Sequence, residues 1–228
     1  MANSFEYFSP TRVIFGKETE KQTGKLIREY GGSRVLVLYG GKSAVRSGLL
    51  DLVKESLKEE ELYFQELGGI VPNPHLDKVY EGIEIGKNEG IDFLLAVGGG
   101  SVIDTAKAIA YGLGEPEKDV WELYDHTRKA RKCLARPKFA IMNPEFTKTL
   151  PDYQTESGCT DIMMHTMERY FTNGGNMEIT DALAEGLLRT VMENAKILHT
   201  EPDNYDARAE IMWAGSLAHN DLTGCGND

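Results

Sequence analysis

Apolar and polar residues follow one rhythm up to about residue 150 and another beyond it. In the first part, short apolar runs are separated by amphipathic stretches. Positions 12–16 read as a strand ended by glycine, and positions 18–30 have the spacing of a helix closed by Gly31-Gly32. Positions 35–39 are continuously apolar, as in a strand buried on both faces, and lead into Gly40-Gly41-Lys42-Ser43. A helix is predicted from about 49 to 57, an alternating strand over 61–67 and a helix over 76–88. A second continuous strand follows over 93–97, then a glycine turn and a helix through Ala110. Strands alternating with helices at this spacing predict a parallel, doubly wound sheet with right-handed crossovers.

Beyond Leu150-Pro151 the strand signals stop. Positions 158–170, 178–198 and 205–218 carry helical periodicity, and Pro202 separates two of these stretches. Asn143-Pro144 and Leu150-Pro151 mark a loop, so a break is predicted near 145–152. The expected organisation is an α/β domain over 1–148 and an all-helical domain over 149–228.

Charge and cysteine content narrow the function classes. A net charge of −11 over 228 residues argues against a nucleic-acid backbone or an anionic membrane as partner. The 3 cysteines, Cys133, Cys159 and Cys225, are too few and too scattered for a disulfide framework, and small apolar roles suit Cys159 and Cys225. The first residues lack a basic segment followed by an apolar one, and no run approaches membrane-spanning length. A reducing cytoplasm is therefore the expected location.

Two local patterns carry candidate chemistry. Gly98-Gly99-Gly100-Ser101 stands between the 93–97 strand and a helix. Such a turn directs unpaired N–H groups and the positive end of the helix dipole outward, which suits a phosphate. The plainer reading is that glycine serves tight packing there. The second pattern is Asp161 and His165, four apart in a helical stretch, which puts a carboxylate and an imidazole on one face. That pair suits Fe²⁺, Zn²⁺ or Mn²⁺, although the same spacing also makes an ordinary ion pair. The other histidines, His75, His126, His199 and His219, show no coordinating spacing and read as solvated or core imidazoles.

Taken together, these segments resemble the iron-containing (group III) alcohol dehydrogenases, in particular their NAD(P)H-dependent butanol dehydrogenase branch. The resemblance rests on 5–16, on Tyr39 to Ser43, on Val71-Pro72-Asn73-Pro74 and on Gly98 to Asp104. It continues through 136–145, 161–168 and 210–217. It implies a Rossmann-like α/β domain followed by an all-α domain. It also implies reversible hydride transfer between NADP or NAD and a primary alcohol or aldehyde such as butanol or butanal. By that resemblance Gly99, Gly100 and Ser101 hold the cofactor's pyrophosphate, with Asp104 nearby, and Asn73 contacts the cofactor. Gly40, Gly41, Lys42 and Ser43 form the first nucleotide turn, where Lys42 and Ser43 lean slightly toward NADP. Asp161 and His165 are ligands of Fe²⁺, with Zn²⁺ as the alternative, and no acid–base catalyst is assigned.

Two departures from the family pattern shape the remaining expectations. Between Tyr124 and Arg136 a long family segment is replaced by a short basic stretch near 125–135. The chain also stops at Asp228, before two later metal-binding histidines of the family, and His219 matches a family position that is not a ligand. The expectation is a shortened, internally deleted copy or fragment with a weakly held metal. A nucleotide-binding remnant without turnover is the competing reading, and a glycerol dehydrogenase or dehydroquinate synthase relative is a third. A homodimer is the expected assembly.

Overall fold

The apolar run at 35–39 forms the middle of a sheet. In the computed structural model, which describes residues 4–41, 43–124, 136–172 and 177–226, β2 (Arg34–Gly40) lies between β3 (Tyr63–Ile70) and β4 (Phe93–Val97). All pairing is parallel, with Val37 opposite Glu66 on one side and Leu95 on the other. Val35, Leu36, Val37 and Leu38 are completely buried because both faces of β2 are covered. β3 lies at an edge and is less buried, with only Leu67 and Ile70 fully enclosed.

Covering helices divide between the two faces. Val35 and Val37 join a core with Ile27 of α1 (Thr23–Glu29) and with Leu50, Val53 and Leu57 of α3 (Leu49–Glu59). Leu36 and Leu38 face the other way, toward Val79 of α4 (Leu76–Asn88) and toward Val102 and Ile109 of α5 (Gly100–Gly114). Alternate residues of one strand thus feed opposite cores, which is the doubly wound arrangement. Two short helices, α2 (Ser43–Arg46) and α6 (Val120–Tyr124), complete the described part of this region, together with β5 (Phe139–Met142).

The chain divides into two compact units, residues 19–141 and residues 1–18 with 142–228. The break therefore falls at 141/142, ahead of the predicted 145–152. The N-terminal strand β1 (Arg12–Phe15) groups with the helical unit. There the Gly16 N–H donates to Met142 O at 3.0 Å, and Phe15 packs edge-on against Trp213 with ring centroids 6.1 Å apart.

The helical unit contains α7 (Asp152–Tyr170), α8 (Glu178–Thr200) and α9 (Tyr205–His219). Helix α7 starts behind Pro151, earlier than the predicted 158. Its first turns are polar and so carry no apolar signal, and Gly158 sits inside the helix at a modest propensity cost. Cys159, Ile162, Leu187, Val191, Ala214 and Ala218 form its core. Arg208 Nη1 donates to Thr155 Oγ1 at 3.3 Å, Ile162 packs at Gly215, and Arg169 Nη1 donates to Ala218 O. These three contacts advance together along both helices, so α7 and α9 run parallel.

Candidate functional site

In the unit of residues 19–141 the connectivity creates a crevice. From β2 the chain moves outward to β3 through α3 on one face. It then returns past β2 to β4 through α4 on the other face. The loops leaving β2 and β4 therefore diverge at the carboxyl edge of the sheet, where open α/β sheets bind their ligands. Gly40 ends β2 and Gly98 follows β4, so both predicted glycine turns lie at this edge. Asn73 follows β3 on the same edge with a left-handed backbone (φ 57°), a conformation that asparagine tolerates better than most residues.

The glycines of the second turn differ in what they do. Gly98 has φ 155°, and a Cβ there would meet Val102 Cγ2 at 2.8 Å, so backbone and packing both demand glycine. A Cβ at Gly99, Gly100 or Gly41 would meet nothing within 4 Å. Packing among the described residues therefore does not explain these three positions, which are open to an approaching group. The Gly99 carbonyl accepts the N–H groups of Val102 and Ile103 at 3.0 and 3.2 Å, which leaves those of Gly100 and Ser101 at the open end of α5. No acidic residue sits in that first turn. Asp104 lies a turn further along, exposed, with Lys107 Nζ 3.5 Å away. Ser43 opens α2 and is exposed, and Lys42 lies outside the described residues.

In the helical unit, Asp161 and His165 flank the buried residues Ile162 and Thr166 on α7. Asp161 Oδ1 is 3.7 Å from His165 Nε2, and Asp161 Oδ2 is 3.5 Å from His219 Nε2 at the end of α9. One ligand atom from each of Asp161, His165 and His219 lies within 4.8 Å of the others. The rings of His165 and His219 meet at a centroid distance of 4.5 Å. An oxygen and imidazole nitrogens converging in this way suit a borderline divalent ion such as Fe²⁺ or Zn²⁺. Burial pushes the Cys159 thiol up and keeps it a packing residue, while Cys225 is only partly buried.

The profile of the iron-containing alcohol dehydrogenase family matches residues 10–143, and that of the Fe-containing alcohol dehydrogenase C-terminal region matches residues 155–226. The chain belongs to the iron-containing alcohol dehydrogenase family. It is 38% identical to NADH-dependent butanol dehydrogenase A of Clostridium acetobutylicum over 99% of this chain and 67% of that protein. With the NADPH-dependent aldehyde reductase YqhD of Escherichia coli it shares 34% identity over 98% of this chain and 67% of the reductase. The crystal structure of NADH-dependent butanol dehydrogenase A from Thermotoga maritima superimposes with a TM-score of 0.94 at 33% identity. That match covers 99% of this chain and 65% of the other.

This member of the iron-containing alcohol dehydrogenases thus spans about two thirds of the length of the relatives it matches. The alignment with the Clostridium protein runs over 261 positions against 228 residues here, so that relative carries at least 33 residues without a counterpart. The segment expected to carry this difference, near 125–135, lies outside the described residues. Among the described residues no helix is long and apolar enough to cross a membrane. Sequence reasoning paired Asp161 with His165 and passed over His219, which spacing along the chain does not connect to them. The small-residue face Ala214, Gly215 and Ala218, which lets α9 approach α7 closely, was the available signal.

Proposed function

We propose that this chain performs metal-dependent hydride transfer between a nicotinamide dinucleotide and a small primary alcohol or its aldehyde. The observation that carries this reading is the approach of Asp161 Oδ1 to His165 Nε2, 3.7 Å apart on one helix face. The similarity to an NADH-dependent butanol dehydrogenase and an NADPH-dependent aldehyde reductase supports butanol and butanal as the test substrates.

When bound, the nicotinamide exchanges the hydride and the divalent ion acts as a Lewis acid on the substrate oxygen. The residues of this chain bind and orient. Gly99, Gly100 and Ser101 present backbone N–H groups and the positive end of α5 to the pyrophosphate. Gly40 and Gly41 let the chain pass close to the nucleotide from β2, Asn73 reaches it from beyond β3, and Asp104 stands behind the turn. Lys42 and Ser43 offer a cation and a hydroxyl to the extra phosphate of NADP, so NADP is the favoured cofactor, with NAD as the alternative. Asp161 and His165 hold the ion, with Fe²⁺ ahead of Zn²⁺, and neither transfers a proton.

The test is anaerobic oxidation of NADPH and NADH by the purified chain with butanal, with and without added Fe²⁺. Metal-dependent turnover, fastest with NADPH, is the expected result. Cofactor binding without turnover would replace this proposal with the nucleotide-binding reading, and absence of both would remove the dinucleotide assignment as well.

A further inference from the structure

Building on the assignment of Asp161 and His165 as metal ligands, we propose that His219 is a third ligand of the same ion. The proposal concerns which imidazole nitrogen is available. His219 Nδ1 lies 2.8 Å from Gly215 O, and a carbonyl only accepts, so Nδ1 carries the hydrogen. In the neutral imidazole the lone pair is then on Nε2, the atom that stands 3.5 Å from Asp161 Oδ2. In the neutral ring that lone pair faces the carboxylate across a gap that a divalent ion would fill. Metal-bound histidines are characteristically oriented through a hydrogen bond from the other ring nitrogen to a carbonyl or carboxylate. His165 also turns Nε2 toward Asp161, 3.7 Å from Oδ1, while its Nδ1 stands 3.9 Å from Glu168 Oε2, beyond hydrogen-bond distance.

The distances agree with one shared ion. Ligand atoms about 2.0–2.2 Å from a tetrahedral ion stand roughly 3.4 Å from one another. The two Asp161 contacts, 3.5 and 3.7 Å, are to different carboxylate oxygens, and one ligand atom from each of the three residues lies within 4.8 Å of the others, so rotation of the side chains is needed to close the set. Asp161 presents one oxygen to each imidazole.

Arg169 is the positioning residue. From the last turn of α7 it donates to Ala218 O and pairs with Asp221 Oδ1 at 3.2 Å, so it grips the chain on both sides of His219. Asp221 itself has a left-handed backbone (φ 68°), which turns the chain sharply just after α9.

The test is anaerobic titration of Co²⁺ into the 228-residue chain, read by visible absorption and by proton NMR of the shifted imidazole N–H resonances. The wild type is expected to show two such resonances, from His165 and His219. His219→Phe keeps an aromatic ring at an exposed position and is expected to show one. Changing an outer partner of a metal ligand weakens binding about 10–100-fold, so losing a direct ligand should weaken it at least about 100-fold. Arg169→Gln is a second variant, expected to weaken Co²⁺ binding with both resonances retained. Unchanged affinity and resonance count in His219→Phe, with binding abolished in Asp161→Ala, would overturn this proposal alone. Absence of Co²⁺ binding in the wild type, or binding indifferent to Asp161→Ala, would overturn the metal assignment with it.

Discussion

In the α/β unit the described residues assigned to the nucleotide stand at or after the ends of β2, β3 and β4, on one edge of a parallel sheet. In the helical unit Asp161 and His165 share α7, but His219 comes from α9, and only packing brings it near. The first site is built by topology, since any strand-to-helix turn at that edge would reach the same crevice. The second depends on the lateral register of two helices. A defect in the first should therefore act locally. A defect anywhere along the α7–α9 seam should reach the second.

The largest effect is expected from Gly98→Ala. A side chain there combines a disfavoured backbone angle with a 2.8 Å approach to Val102, and should lower stability by about 3 kcal/mol in chemical denaturation. Nucleotide binding should be lost with it. Next comes Arg208→Ala, far from the metal residues. Arg208 is buried and donates to Pro202 O at 2.7 Å and to Thr155 Oγ1 at 3.3 Å, which ties the start of α9 to α7. Its removal should lower stability by about 2 kcal/mol, because buried acceptors lose their donor. If the site depends on helix register, Co²⁺ affinity should fall with it, and unchanged affinity would break the comparison.

A smaller effect concerns pH. Burial alone would raise the Asp92 carboxyl, but the Ser33 hydroxyl and the N–H groups of Ser33 and Arg34 outweigh it and hold it below its usual range. A carboxyl held low in the folded state adds stability above its unfolded value near about 3.9, and that stability is lost as pH falls through the folded value. Thermal melts should show Asp92→Asn less stable than wild type at pH 6, with the gap closing below about pH 4. This change sits at the opposite end of β2 and β4 from the turns, so nucleotide affinity should stay constant.

Most of the sheet was legible in the sequence because burial leaves a direct trace. The four completely buried residues of β2 are apolar without interruption, and edge strand β3 mixes polar and apolar residues. The short helices α2 and α6 and strand β5 escaped prediction because four or five residues are too few to show a period. The start of α7 escaped because residues 152–157 are largely polar and exposed. The turn after β4 was visible as glycine, but not which glycine packs and which is left open, since that depends on Val102 a turn later on α5. Asp161 and His165 were visible because four residues make one helical turn. His219 was not, because no local period links it to His165 and the match depends on α7 and α9 running parallel.

The central claim is that the turn after β4 is shaped for a bound phosphate, and Gly99→Ala tests it most directly. A Cβ there meets nothing within 4 Å, and the backbone angle of −92° suits alanine. Titration calorimetry with NADPH and NADH should be run beside thermal melts of both proteins. The account predicts an unchanged or slightly raised melting temperature and nucleotide affinity weakened at least about tenfold, because the methyl group stands where the pyrophosphate must approach. Unchanged affinity in a fully folded Gly99→Ala chain would contradict it.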